Sequence, residues 1–139
     1  MKILIRLSIF ILLILSFSCE KSFPFLVVCE DCITDEPTRA ELQIKLTGQI
    51  YDLINISIYE GTLDDNILYG NINPGTDITY FSVPVNKRFT LTATYRHNGK
   101  TYTAVDSVLP RVKYDRNSCD DPCYFVYDNV VNLMLKYTE

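Results

Sequence analysis

The sequence contains no tryptophan, one histidine and five glycines. With a single histidine, any dyad or triad built on imidazole must use His97. That residue stands beside the Asn98-Gly99 turn signal, where an exposed polar side chain is ordinary. No Gly-rich phosphate loop, nucleophile elbow or HExxH pair is present. Basic charge is in deficit, with 13 Lys and Arg against 17 Asp and Glu and a net charge of −4. A balance of that sign disfavours nucleic acid and anionic headgroups as partners. The apolar N-terminal run, residues 7–17, is eleven residues long, well short of the ~20 needed to cross a bilayer. Internal repeats, low-complexity segments and a long amphipathic helical period are also missing. The chain therefore reads as non-catalytic, with no cofactor and no resident metal expected.

What is present at the N-terminus is an address. Lys2 and Arg6 precede the apolar run, which has the length of a secretory h-region. The run ends in "LSFSC", which resembles the lipobox of bacterial lipoproteins, with Ser18 in the small-residue position before Cys19. Ser16 and Phe17 depart from the usual aliphatic-then-small order; an ordinary signal peptide and an uncleaved anchor helix are the alternatives. The resemblance implies cleavage after residue 18, lipidation of Cys19 and a membrane link through that anchor. Several acyl chains would make that anchoring stable. Glu20 follows where an inner-membrane retention signal would place Asp, so the outer membrane is the expected location. Loss of residues 1–18, which hold Lys2 and Arg6 and no acid, takes the charge from −4 to −6. The organisation expected is a signal peptide (1–18), a membrane-proximal segment (19–39) and a β-sandwich domain (40–139). No Ser/Gly-rich tether follows Cys19. Phe23, Phe25, Leu26, Val27 and Val28 call instead for burial, as an early strand or a segment packed on the domain.

From residue 40 the hydrophobic period is two. Leu42, Ile44 and Leu46 alternate with Glu41, Gln43 and Lys45; Ile54, Ile56 and Ile58 alternate with Asn55, Ser57 and Tyr59. Such alternation marks half-buried strands. "RFTLTATYRHNGKTYTAVDSV" predicts a two-residue type I′ hairpin at Asn98-Gly99. Its register pairs Tyr95 with Tyr102, Ala93 with Ala104 and Phe89 with Val108. Thr94 faces Thr103 and Thr92 faces Val105 on the other side. Leu91 opposite Asp106 is a mismatch, which requires either a bulge or a polar partner for the carboxylate. A last strand is expected in "NVVNLMLKY", with Val131, Leu133, Leu135 and Tyr137 on one face. Strands at this spacing predict an all-β fold, a single Ig-like or transthyretin-like antiparallel sandwich of about seven strands. The order of "ISIYEG" and "TYFSVPVNKRFTLTATYRHNGKTYTA" resembles the transthyretin-like and carboxypeptidase-regulatory-like domains over about residues 40–108. That resemblance implies a binding or scaffolding role, as in modules of bacterial surface proteins.

Four cysteines remain beyond Cys19: Cys29, Cys32, Cys119 and Cys123. In an exported domain an even number reads first as disulfides. Local pairing would close only tiny loops. Crossed pairing would join the N-terminal segment to the connection before the last strand, with a chain-entropy contribution on the order of 4–5 kcal/mol. A Cys₄ zinc site is an alternative that the uneven C-x-x-C and C-x-x-x-C spacing and an oxidising compartment disfavour. A redox pair would need Cys29 at a helix N-terminus, and Pro37 with no amphipathic period argues against one. Free thiols are the residual case.

Other features have ordinary explanations. Asp115, Asn117, Asp120 and Asp121 lack the Gly turn and closing Glu of a calcium loop and read as a solvated acidic loop; Asp64-Asp65 reads as a turn. Ten tyrosines permit a glycan-stacking platform including Tyr59, Tyr69, Tyr80 and Tyr127, although aromatics favour strands in any case. The short "DSV" at residues 106–108 resembles an O-glycosylation acceptor of some bacterial exported proteins. The function expected is a structural or interaction component of the cell envelope, with a protein partner in an assembly and no nucleic acid. The alternatives are a small-ligand or glycan-binding module and a Cys₄ metal-binding protein.

Overall fold

Alternation in the sequence becomes two facing sheets. The computed structural model describes residues 29–48 and 52–136. Cys19, the expected signal peptide at 1–18, the apolar stretch 23–28, the side chain of Ile54, and Tyr137 lie outside those residues. Nine strands are formed among the described residues: β1 (Arg39–Lys45), β2 (Asp52–Glu60), β3 (Ile67–Ile72), β4 (Ile78–Pro84), β5 (Phe89–His97), β6 (Lys100–Val108), β7 (Arg111–Asp115), β8 (Cys123–Tyr127) and β9 (Val130–Asn132). One sheet has the order β4-β1-β9, the second β3-β2-β5-β6, and β7-β8 form a separate hairpin. The fold is all-β and sandwich-like, as expected. It has two strands more than the expected seven, and the strands of the β7–β8 hairpin flank the stretch read from sequence as a solvated acidic loop.

The core lies between the two sheets. Leu42, Ile44 and Leu46 of β1 and its continuation meet Ile56 and Ile58 of β2, and Phe89, Leu91, Ala93 and Tyr95 of β5. Each fully buried aliphatic or aromatic side chain contributes about 1.5–3 kcal/mol of transfer free energy. Val131 and Leu133 join this core and Leu135 packs against it, although the strand stops at Asn132. The β5–β6 ladder has the predicted register throughout, from Phe89↔Val108 to His97↔Lys100. Asn98 and Gly99 hold φ of 48° and 74°, the left-handed pair that a type I′ turn demands.

Tyr95 is the polar element of the core. It is fully buried, its hydroxyl donates to the Leu133 carbonyl at 2.9 Å and accepts from the Thr47 amide at 3.2 Å. Burial pushes the phenol above the ordinary tyrosine value, against the lowering effect of Thr47, so it remains a donor. Thr47 Oγ1 in turn accepts from the Leu135 amide at 2.6 Å. One side chain of the four-stranded sheet thus fixes the far end of β1 and the segment after β9.

Among the described residues, the β1–β9 pair is the one parallel pairing. Gln43, Ile44 and Lys45 of β1 face Val130, Val131 and Asn132, held by Gln43 N–H to the Asn129 carbonyl and Leu133 N–H to the Lys45 carbonyl. Asn129 Nδ2 adds a bond to the Glu41 carbonyl at 2.9 Å. The first and last of the described strands are therefore neighbours, and the chain must close on itself.

Alanine in the left-handed region costs ~1–2 kcal/mol per residue. The double substitution Asn98→Ala/Gly99→Ala should therefore lower the melting temperature by roughly 5–15 °C in thermal unfolding followed by circular dichroism. An unchanged midpoint would contradict the hairpin.

Candidate functional site

The site with the most unusual chemistry is built from the four cysteines and the β7–β8 hairpin. Cys29 opens a single 3-10 turn, Cys29–Asp31, and is bonded to Cys119; Cys32 is bonded to Cys123. The Cα separations are 5.7 and 5.4 Å, within the range natural disulfides occupy. The pairing is crossed, so the Cys29–Cys32 and Cys119–Cys123 alternative is corrected. A sulfur held in a disulfide presents no thiolate to a metal or to an exchange partner. Directly beyond the Cys32–Cys123 bridge, Ile33 N–H donates to the Tyr124 carbonyl at 3.1 Å and Tyr124 N–H donates back at 2.8 Å. Residue 33 is thereby a third rung beside β8.

The two bridges act on nearly the same closure. Either one alone closes a loop of about ninety residues; the second then closes only a ring made of residues 29–32 and 119–123. In the chain-entropy model the first contributes ~4.6 kcal/mol and the second ~2–3 kcal/mol. The staple's burial is also graded: Cys123 is fully buried with Phe125 behind it, whereas Cys29 is exposed.

Just before Cys119 the chain is ordered by one carboxylate. Asp115 Oδ1 accepts from the amides of Asn117 (2.9 Å) and Ser118 (2.8 Å), and Oδ2 accepts from the Ser118 hydroxyl (2.9 Å). These bonds, chiefly those from the Ser118 and Asn117 amides, hold the Asp115 carboxyl below the ordinary aspartate value. Of the four residues read as a solvated acidic loop, Asp115 is thus committed to its own turn, while Asn117, Asp120 and Asp121 are exposed. Asp65 plays the same part elsewhere. It accepts from the Thr62 amide and hydroxyl at 2.7 and 2.8 Å, which lowers its pKa and confirms the turn at Asp64-Asp65.

One face of the hairpin is aromatic. Tyr114 faces Tyr124 in the β7–β8 register, with ring centroids 4.9 Å apart, and the Arg116 guanidinium lies 6.0 Å over the Tyr114 ring. The bridge from Tyr124 to Ile33 extends this row, and Val112 and Val126 form the next. Sequence reasoning missed this pair; the alternation in "RVKYD" and the β-branched and aromatic "CYFVY" were the available signals.

The β4 edge of the three-stranded sheet is largely occupied. Leu46 N–H to the Asp77 carbonyl and Val85 N–H to the Thr38 carbonyl set the β1–β4 ladder so that Ile78, Tyr80 and Ser82 turn their backbone groups outward. Thr76 Oγ1 donates to the Ile78 carbonyl (2.6 Å) and Arg39 Nη2 to the Ser82 carbonyl (2.8 Å), and Pro84 has no N–H. Such blunting suppresses strand addition. On the opposite flank, Asp106 stays in register opposite Leu91. Its Oδ1 accepts from the Ser107 amide and its Oδ2 from the Asn132 amide, each at 2.8 Å. The mismatch seen in the sequence is thus a clasp between β6 and β9, and no bulge forms. Beside it an open groove of about 350 Å³ is lined by Thr103, Val105, Asn132, Met134 and neighbours.

Tyr59, Tyr69, Tyr80 and Tyr127 do not share a surface. Tyr80 is on the outer face of the three-stranded sheet with Gln43 Nε2 at 3.3 Å from its hydroxyl. Tyr69 packs edge-on to Phe81 and Phe89. Tyr59 is in β2 and Tyr127 in β8. His97 stands at the hairpin turn, its Nε2 3.0 Å from Asn98 Nδ2. Ser107 of the "DSV" stretch is exposed, with its hydroxyl 3.0 Å from that of Thr90. Comparison with protein-family models, curated proteins and solved structures gave no match.

Because the bridges share one long loop, Cys29→Ala/Cys119→Ala or Cys32→Ala/Cys123→Ala alone should cost about 2–3 kcal/mol, and removal of both ~7 kcal/mol. Denaturant unfolding of the three variants checks this; strictly additive losses would refute the shared closure. A lowered carboxyl pKa also means that the Asp115 turn is fully formed above the ordinary aspartate range and is lost as pH falls through the lower, folded value. In an NMR titration the Asn117 and Ser118 amides should shift together below the ordinary aspartate pKa, and Asp115→Asn should abolish that step.

Proposed function

We propose that this chain is an exported lipoprotein, held to the outer membrane through acyl chains on Cys19, whose sandwich is a non-catalytic structural or interaction component of an envelope assembly. The lipobox-like "LSFSC" supports the anchor. The observation that carries the rest of the reading is the double staple, which joins Cys29 and Cys32, ten and thirteen residues beyond Cys19, to Cys119 and to Cys123 at the start of β8. A domain joined to its anchor in this way presents a defined orientation, which serves assembly better than diffusive capture. The resemblance to transthyretin-like modules is in keeping with a scaffolding role, which fold alone does not establish. A shared aromatic platform for glycan gains no support from tyrosines spread over separate faces.

Two measurements test this. Intact-mass analysis of membrane-extracted protein should give a chain beginning at acylated Cys19, and a non-acylated mass removes the anchor. Native electrophoresis in mild detergent should place the protein in a complex above its own size, and migration as a lone monomer removes the assembly role.

A further inference from the structure

We infer that the Ile33–Tyr124–Tyr114 row of the stapled hairpin rests on the lipid surface, at the boundary between headgroups and acyl chains. The inference builds on the lipid-anchor proposal for Cys19 and names the face of the domain that meets the membrane.

The row is continuous. Ile33 is bridged to Tyr124, and Tyr124 is paired to Tyr114, so all three side chains leave the same face of the hairpin. Ile33 is 39% and Tyr114 46% exposed, while the opposite face buries Cys123 and Phe125. The amphipathic shape of tyrosine, with an apolar ring and a polar tip, suits a membrane interface, as does arginine beside it. Arg116 over Tyr114 supplies that combination.

The occupant follows from where the chain leaves the described residues. Cys19 precedes Cys29 by ten residues, which reach at most about 35 Å fully extended. That is comparable to the diameter of a domain of this size, and the staple fixes the near end of the segment to the hairpin itself. The acyl chains are therefore held within that reach of this hairpin. Glu30, Asp31, Asp120 and Asp121 are exposed around the bridges, and these acids oppose an anionic surface. The surface that fits is a zwitterionic headgroup layer, met by the tyrosine and isoleucine side chains and not by charge.

Absence of tryptophan permits a direct test. The full lipidated chain carrying Tyr114→Trp is placed in phosphatidylcholine vesicles with brominated or ordinary acyl chains, beside a Tyr80→Trp chain as control. Tyr80 is 58% exposed on the outer face of the three-stranded sheet. Circular dichroism establishes that both are folded. The expected result is that bromination removes half or more of the emission of the Tyr114→Trp chain and leaves the Tyr80→Trp chain unchanged. Equal quenching of the two, or none, in vesicle-bound protein overturns the docking face while leaving the anchor intact. Protein that fails to float with the vesicles overturns both.

Discussion

Closure of the chain on itself is the constraint from which the architecture follows. β1 and β9 are neighbours in one sheet although Gln43 and Val130 stand nearly ninety residues apart. Pairing of such distant segments carries the loop-closure entropy that makes non-local sheets slow and costly to form. β9 is only three residues long and offers few ladder bonds to offset that cost. Two covalent bridges, each joining residues ninety or ninety-one apart, restrict the unfolded chain at nearly the same points. The Asn129 side chain, the Asp106 clasp and the Tyr95 hydroxyl then fix the returning strand at three further places.

The same closure determines what is left for function. With β4 capped by Thr76 and Arg39, the sandwich offers little bare backbone for strand addition along that edge. Its exposed apolar side chains are instead dispersed: Ile67 and Leu68 on β3, Tyr80 and Ile78 on β4, Val105 and Met134 at the seam, Tyr114 and Ile33 on the hairpin. Only the last group combines paired aromatic rings, a guanidinium and covalent attachment to the segment leading back to Cys19. The cysteines, read in sequence first as disulfides, act as architecture, and the chemistry of the region passes to the tyrosines they hold in place.

The β5–β6 hairpin was legible to the residue, because Asn98-Gly99 fixes turn type and the turn fixes register. The inward faces of β1 and β2 were legible for a related reason: period-two alternation leaves one choice of face. The β7–β8 hairpin was not. Its strands are five residues each and are joined by a stretch rich in Asp, Asn and Ser that dominates the local composition, so only that stretch drew a reading, as a solvated acidic loop. The role of Asp106 was half visible, since its mismatch with Leu91 announced a polar partner without naming Asn132.

By itself the sequence determined the all-β class, the faces of the long strands, the central hairpin and the number of cysteines available for pairing. These follow from local turn geometry and from side-chain periodicity, which act within a few residues. Tertiary structure alone decided which cysteine meets which, that β9 lies parallel to β1, and that Tyr114, Tyr124 and Ile33 stand in one row. Each of those depends on segments brought together across the chain by closure, and no local pattern encodes the partner at the far end.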